Sequence, residues 1–184
     1  VYVPEQEVAC PALCLCHGIP RGIRDPSDPG YPLLAERFCN AGFLTLIFNF
    51  RGTGDSGGDF DILGWTRDLE AIVDYIYNMK EVDSNRIFVM GFSGGAAVAV
   101  YVASKDPRVS HLVTCACPAQ FRNPQRPERA KALVQHFRRI EIIRDKDFPP
   151  SLGQWFAGFS HVSPIDLIGR ISPRPVLIVH GSKD

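Results

Sequence analysis

Residues 86–101 read RIFVMGFSGG and then AAVAVY, and this stretch decides the fold. An apolar run ends in a Gly-x-Ser-x-Gly motif at Gly91–Gly95, and a segment of small residues follows at once. The motif requires a strand, a sharp turn and then a helix. A side chain at Gly91 or at Gly95 would collide with the neighbouring strand or helix, and glycine removes that collision. We therefore predict a strand, a tight turn and a helix here.

Ser93 is predicted to lie at the tip of this turn, above the carboxyl edge of a sheet. The N-terminus of the following helix directs its free N–H groups and its partial positive charge at the same place. A hydroxyl nucleophile beside preorganised donors is the arrangement that acyl transfer uses. A Gly-Ser turn between a strand and a helix can also be purely structural, so the motif alone leaves both interpretations open.

Composition excludes several classes of function. The chain has 184 residues, 45% of them hydrophobic, and 20 Lys plus Arg balance 20 Asp plus Glu. The net charge of zero gives no bulk attraction to nucleic acid or to an anionic membrane. The sequence contains neither an apolar run of about 18 residues nor a basic-then-apolar leader pattern. We expect a cytoplasmic protein without nucleic-acid or membrane partners.

The cysteines favour a structural interpretation. Two pairs, Cys14 with Cys16 and Cys115 with Cys117, are spaced two apart within strand-like runs, so each pair faces one side of a strand. Buried small side chains in a reducing compartment are the simplest explanation. Zinc ligands usually follow a Cys-x-x-Cys spacing on turns, so no metal is expected. The six cysteines are Cys10, Cys14, Cys16, Cys39, Cys115 and Cys117.

Strand and helix patterns alternate along the chain, which predicts a doubly wound, mostly parallel sheet with helices on both faces. The glycine-rich loop 51–58 lacks the Gly-Lys-Ser/Thr of a P-loop and the spacing of a dinucleotide site. Residues 82–85 are predicted as the turn before the central strand. The predicted strands lie at 12–16, 44–49, 86–91, 109–116 and 175–180, and the two clearest helices lie at 31–39 and 64–76.

Three motifs together resemble the α/β-hydrolase superfamily. They are the Gly-x-Ser-x-Gly turn, the His17-Gly18 pair after the first strand, and the His-Gly-x-x-Asp ending at residues 180–184. The resemblance implies that Ser93 is the nucleophile and that Asp184 is the acid that orients a histidine base. It implies no metal and no organic cofactor.

The same resemblance implies the supports of the site. Backbone N–H groups of Ile19 and Gly94 form the oxyanion hole, since Pro20 has no N–H to offer. Gly91 and Gly95 are the glycines of the nucleophile turn. His17 is a structural loop histidine, because it precedes Ser93 whereas the triad histidine follows the acid in this family.

Two further supports lie in the neighbouring loop. Arg51, in the Arg-Gly-x-Gly-x-Ser loop typical of the family, supports the site together with His17 and Gly18. Arg51 either pairs with Asp68 or leaves that aspartate solvated at the start of its helix.

The family order Ser, Asp, His is not completed in this sequence. No histidine follows Asp184, and none of the five histidines stands at the expected position. The expectation is a single domain over residues 1–184 that is incomplete at both ends, with the base on a further segment of a longer chain.

Residues 118–163 interrupt the alternation. They are basic and helical through 126–144 and then aromatic, with Phe148, Trp155, Phe156 and Phe159. The resemblance implies a short helical lid insertion that binds an apolar acyl or alcohol group and excludes water. An ordinary packed helical excursion is the alternative.

The function expected from the resemblance is hydrolysis of a small-molecule carboxylic ester, with an amide or peptide as the less favoured substrate. The cinnamoyl-esterase, prolyl-oligopeptidase and dienelactone-hydrolase branches look most similar. The last uses a cysteine nucleophile, where this chain has Ser93, and the oligopeptidases place an aromatic residue where this chain has Gly94. A non-catalytic binding or scaffold protein, and an acyltransferase, are alternatives. Homo-oligomer formation is left open.

Overall fold

The computed structural model describes residues 1–5, 8–22, 30–121 and 127–182 of the chain. Within these residues, five strands in chain order, β1 to β5, lie at Cys10–Cys16, Leu44–Ile47, Val82–Phe92, Val109–Cys115 and Val176–Val179. Helices α1 to α6 lie at Gly30–Asn40, Ile62–Tyr77, Gly94–Ala103, Pro127–Arg139, Leu152–His161 and Pro164–Leu167, and a 3₁₀ helix follows at Ile168–Ile171. The strands form one parallel sheet in the order β2-β1-β3-β4-β5.

The two faces of the sheet bury different side chains, as the alternation of a strand requires. On β1, Ala12, Cys14 and Cys16 join the main core, which contains the apolar residues of α2 and α3. Leu13 and Leu15 face the other way and pack with α1. Helices therefore cover both faces, and the predicted doubly wound parallel sheet is confirmed.

The prediction that 82–85 form a turn before the strand is wrong, because β3 begins at Val82. Val82 pairs with Cys10, and the next pair joins Ala12 to Ile87, so β3 carries extra residues in a bulge between them. The Asp83 carboxylate accepts the Asn85 N–H at 3.1 Å within this bulge. Residues 82–85 have the composition of a turn, but here they form a bulge. The strand is paired on both sides of a bulge, so it is not interrupted.

The fourth strand is shorter than predicted. It ends at Cys115 rather than at residue 116, because Ala116 adopts a left-handed conformation with φ of 49°. The last strand, β5, leaves Leu177, Ile178 and Val179 about half exposed or more. No helix within the described ranges is both long and apolar enough to cross a lipid bilayer.

The aromatic residues of the segment 118–163 pack into the core. Trp155 and Phe159 of α5 are buried, and both rings make edge contacts with buried Phe60. The Trp155 indole N–H donates to the Phe60 carbonyl oxygen at 3.0 Å. A buried indole needs such an acceptor, so these two side chains pack in the core and do not line an open cavity.

Candidate active site

Ser93 lies between β3 and α3, at the carboxyl edge of the sheet. Its φ of 49° and ψ of −121° are unfavourable for a residue with a side chain. The backbone is held there by the Ser93 N–H, which donates to the Cys115 carbonyl oxygen at 2.9 Å. The serine side chain is exposed. This strained, exposed serine is the geometry that the Gly-x-Ser-x-Gly motif predicts.

Two glycines make the turn possible for different steric reasons. A methyl group on Gly91 would lie 2.7 Å from Ala96 N and from the Gly95 carbonyl oxygen, within the turn itself. A methyl group on Gly95 would collide with the carbonyl oxygens of His17 and Cys16, at the end of β1. Both collisions involve backbone atoms, which cannot rotate away, so the predicted need for glycine at both positions is confirmed.

The two N–H groups expected to form the oxyanion hole are neighbours. A methyl group on Gly94 would lie 3.5 Å from Ile19 N and 2.7 Å from Ile19 Cγ1. Neither the Ile19 nor the Gly94 N–H has a hydrogen-bond acceptor among residues 1–5, 8–22, 30–121 and 127–182. Gly94 begins α3, whose first N–H groups lack intrahelical acceptors. None of the described residues therefore competes with a ligand oxygen for this pair.

The loop after β1 reaches the nucleophile through Gly18. A methyl group at Gly18 would lie 3.0 Å from Ser93 Cβ and 3.1 Å from the Phe92 carbonyl oxygen. His17 points in another direction, into the loop that follows β2. Its Nε2 accepts the Phe50 N–H at 3.2 Å, and its Nδ1 lies 2.8 Å from the Gly18 carbonyl oxygen. His17 is therefore half-buried beside the site and holds its loops together.

Burial lowers the pKa of His17 below the ordinary value for histidine, because removal from water penalises the charged imidazolium. The Gly18 carbonyl opposes this shift only in part. The ring makes edge contacts with Tyr31, Phe50 and Trp65. Near neutral pH the imidazole is therefore uncharged.

A pH effect on stability follows from this shift. As the pH falls below about 6.5, the unfolded chain binds a proton at His17 before the folded chain does. Protonation then favours the unfolded state, so the free energy of unfolding should fall between about pH 7.5 and about pH 5.5. Urea unfolding across this range should show a steeper loss for the wild type than for His17→Gln. Equal slopes for the two proteins would contradict this assignment.

Arg51 and Asp68 form a paired contact, which was one of the two arrangements predicted. Arg51 Nη2 and Asp68 Oδ1 are 2.6 Å apart, and Arg51 Nε donates to both carboxylate oxygens at 3.0 and 3.1 Å. The Arg51 N–H donates to the same carboxylate at 3.0 Å. The Trp65 indole N–H donates to the Arg51 carbonyl oxygen at 3.0 Å. Helix α2 thus fixes the start of loop 51–58.

A residue that the sequence analysis missed fixes the rest of this loop. Arg144 donates through Nη1 to the Ser56 carbonyl oxygen and through Nη2 to the Gly54 carbonyl oxygen, both at 2.8 Å. Its backbone N–H donates to the Asp59 carboxylate at 2.6 Å. The partners lie 85 to 90 positions apart in the chain, so no local sequence signal could have indicated the contact.

The cysteines near the site are poor nucleophiles. Burial raises the pKa of Cys115 above the ordinary thiol value and raises that of Cys117 to about 11. The thiolate is the reactive form, so both groups remain protonated and unreactive near neutral pH. All six cysteines are free thiols.

The acid and the base of the predicted triad are not seen together with Ser93. Asp184 lies outside the described residues. Among the histidines, His17 bonds to its own loops, His111 stacks on Phe88, and His161 Nδ1 lies 2.7 Å from the Ala157 carbonyl oxygen. In the part of the chain that the structure describes, no histidine is hydrogen-bonded to Ser93.

Comparison with curated proteins gives matches of moderate identity over part of each relative. The chain is similar to the quorum-quenching protein AidA of Acinetobacter baumannii, with 31% identity over 122 residues. It is also similar to a 31.7 kDa protein encoded between traX and finO in Escherichia coli, with 33% identity over 115 residues. The matches cover 64% and 61% of this chain. The chain spans 38% and 39% of the length of these two relatives.

Comparison with solved structures supports the fold. The α/β hydrolase GrgF from a Penicillium species superposes with a TM-score of 0.72 and 21% sequence identity. The superposition covers 97% of this chain and 73% of GrgF. At this identity the likeness concerns the fold and not the substrate.

Family membership rests on the matched segment. The family described as serine aminopeptidase, S33, matches residues 10–146. This segment contains the His17-Gly18 loop, the Arg51 loop and the Ser93 turn. The chain therefore belongs to the serine aminopeptidase S33 family, within the α/β-hydrolase superfamily.

Proposed function

We propose that this chain belongs to a serine hydrolase that cleaves a small-molecule carboxylic ester through an acyl-enzyme on Ser93. The observation that carries the proposal is the placement of Ser93. Its side chain is exposed in a strained backbone conformation, and the nearby N–H groups of Gly94 and Ile19 have no acceptor among the described residues. A serine held in this way beside two such donors suits the formation of an oxyanion.

The proposed reaction has two steps. Ser93 Oγ attacks the ester carbonyl carbon while its proton passes to a histidine base, and the carbonyl oxygen becomes an oxyanion bound by Ile19 and Gly94. The tetrahedral intermediate collapses, and the alcohol leaves with the proton. Water then attacks the acyl-enzyme, and the acid is released. Asp184 is proposed as the carboxylate that orients the base. No step requires a metal or an organic cofactor.

The family description names an aminopeptidase, so amide cleavage is the second candidate. Ester cleavage is preferred because an alkoxide leaves more readily than an amide anion. A substrate series distinguishes the two candidates. Short-chain and medium-chain p-nitrophenyl esters test the first, and amino-acid p-nitroanilides test the second.

The test uses protein expressed from the complete gene. Treatment with a fluorophosphonate should add one phosphonyl group to the intact mass, and peptide mapping should locate that group on Ser93. Ester turnover should disappear in proportion to the labelling. A protein that neither reacts with the probe nor hydrolyses any ester or anilide would overturn the catalytic proposal and favour a binding role. Labelling without hydrolysis, but with transfer to an added alcohol, would indicate an acyltransferase.

A further inference from the structure

We propose that His17 is a positioning residue for the oxyanion hole. In its neutral form it holds the peptide between Gly18 and Ile19, so that the Ile19 N–H is presented beside Gly94. This inference rests on the proposed function, since it concerns the donor that would bind the oxyanion. It gives His17 a specific role in place of a general loop-stabilising one.

The hydrogen bonds of His17 determine which of its nitrogens carries the proton. The Phe50 N–H can only donate, so Nε2, at 3.2 Å, must present a lone pair. The Gly18 carbonyl oxygen can only accept, so Nδ1, at 2.8 Å, must carry the proton. Two independent contacts thus require the same neutral tautomer. Burial, which lowers the pKa of His17, keeps this form dominant at neutral pH.

The partner that Nδ1 binds is what connects His17 to the reaction. The Gly18 carbonyl and the Ile19 N–H belong to one planar trans peptide, in which the two groups point in opposite directions. A hydrogen bond that fixes the carbonyl oxygen therefore also fixes the direction of the N–H, away from the imidazole. Donation to the carbonyl also polarises the peptide and strengthens its N–H as a donor.

The imidazole itself is held from several directions. The ring centroids of Phe50 and Trp65 lie 5.1 and 5.3 Å from that of His17, and both rings meet it edge-on. Tyr31, the titratable residue of this cage, makes a similar contact at 6.3 Å. The Thr53 hydroxyl lies 3.1 Å from Nε2 and 2.7 Å from the Phe50 carbonyl oxygen, so its single proton has both acceptors within reach. With so many contacts, the ring can act as a rigid support.

Two substitutions of His17 distinguish the hydrogen bond made by Nδ1 from the one made by Nε2. The side-chain amide nitrogen of His17→Asn reaches about the position of Nδ1 and can still donate to the Gly18 carbonyl. The longer amide of His17→Gln reaches about the position of Nε2 and can still accept from Phe50, but it leaves the Gly18 carbonyl without a donor. Both variants lose the imidazole and its ring contacts. A purely structural role for His17 therefore predicts similar defects in both.

If His17 positions the Ile19 N–H, the two variants should differ in kcat while KM changes little. The kcat of His17→Gln for an ester should fall by about 10- to 100-fold, with KM changed by less than about threefold, because an oxyanion donor acts in the transition state. The kcat of His17→Asn should remain at least about tenfold above that of His17→Gln. Unfolding curves for both variants verify that each is folded at the assay temperature. Equal kcat values for two folded variants would overturn the inference.

NMR spectroscopy tests the positioning role of His17 without requiring the protein to turn over a substrate. Imidazole ¹⁵N spectra of the wild-type complete protein should show a protonated Nδ1 and an unprotonated Nε2 at His17. The Ile19 amide resonance should move further in His17→Gln than in His17→Asn. A proton on Nε2, or an Ile19 resonance that moves equally in both variants, would refute the positioning role. If the wild type is inactive and unlabelled, the proposed function fails, and these spectra still test what His17 does to the peptide.

Discussion

Replacement of Ser93 by alanine should abolish ester turnover and fluorophosphonate labelling in the protein expressed from the complete gene. The expected loss in kcat is on the order of 10⁴- to 10⁶-fold, because removal of a nucleophile leaves only the contributions of binding and the oxyanion hole. Alanine is compatible with the same backbone strain as serine, so the fold should be retained. The measurement is steady-state hydrolysis of a p-nitrophenyl ester beside intact-mass analysis.

Ser104→Ala is the matched control, since Ser104 lies just beyond the other end of α3 and donates to the Tyr101 carbonyl oxygen. Its kcat should stay within about twofold of the wild type, as expected for a serine outside the site. Ser93→Gly adds a second comparison. It should be as inactive as Ser93→Ala but more stable by about 1 kcal/mol, because glycine adopts a φ of 49° without strain. An active Ser93→Ala protein would exclude Ser93 as the nucleophile.

Replacement of Gly95 by alanine should cause the largest loss of stability. The new methyl group would collide with the His17 carbonyl oxygen and lie 2.7 Å from the Cys16 carbonyl oxygen. Because these are backbone atoms of the last residue of β1 and of the residue that follows it, α3 must move away from the sheet, and we expect the free energy of unfolding to fall by about 3 kcal/mol or more. Urea unfolding monitored by circular dichroism measures this change.

Gly153→Ala is the control for the same substitution. Gly153 lies in the first turn of α5, where an added methyl group meets no atom within 4 Å. Alanine is the better helix former, so the free energy of unfolding should rise by up to about 1 kcal/mol. If Gly95→Ala unfolds at the same urea concentration as Gly153→Ala, the close approach of α3 to β1 is wrong.

Short sequence patterns were enough to predict much of the fold. The apolar run before Gly91 and the small residues after Gly95 were enough to predict a strand, a turn and a buried helix, because each element has its own hydrophobic period. The pairing of Arg51 with Asp68 was one of the two arrangements predicted from the sequence. These features depend on short stretches of sequence, where local chemistry determines the conformation.

Contacts between distant segments could not be predicted in this way. Arg144 reaches the loop at Gly54 and Ser56 from within the segment 118–163, and Trp155 donates to Phe60. The bulge in β3 depends on its register with β1, which no pattern within 82–92 specifies. The tautomer of His17 depends on Phe50, which a second strand brings to it. These contacts, the bulge and the tautomer depend on tertiary packing. The hydrophobic periodicity of a single sequence does not reveal which distant segments pack together.

The burial of α3 has a consequence for the nucleophile. All of its residues from Gly94 to Ala103 are buried except Tyr101, which is half-buried. A helix enclosed in this way cannot fray into solvent by itself, so the amide protons beyond its first turn should exchange only when the whole domain opens. The fraction of molecules in which Ser93 is misplaced is then tied to the globally unfolded fraction. Any substitution that weakens the core, however far from the turn, therefore raises the misplaced fraction by the same factor as it raises the unfolded fraction.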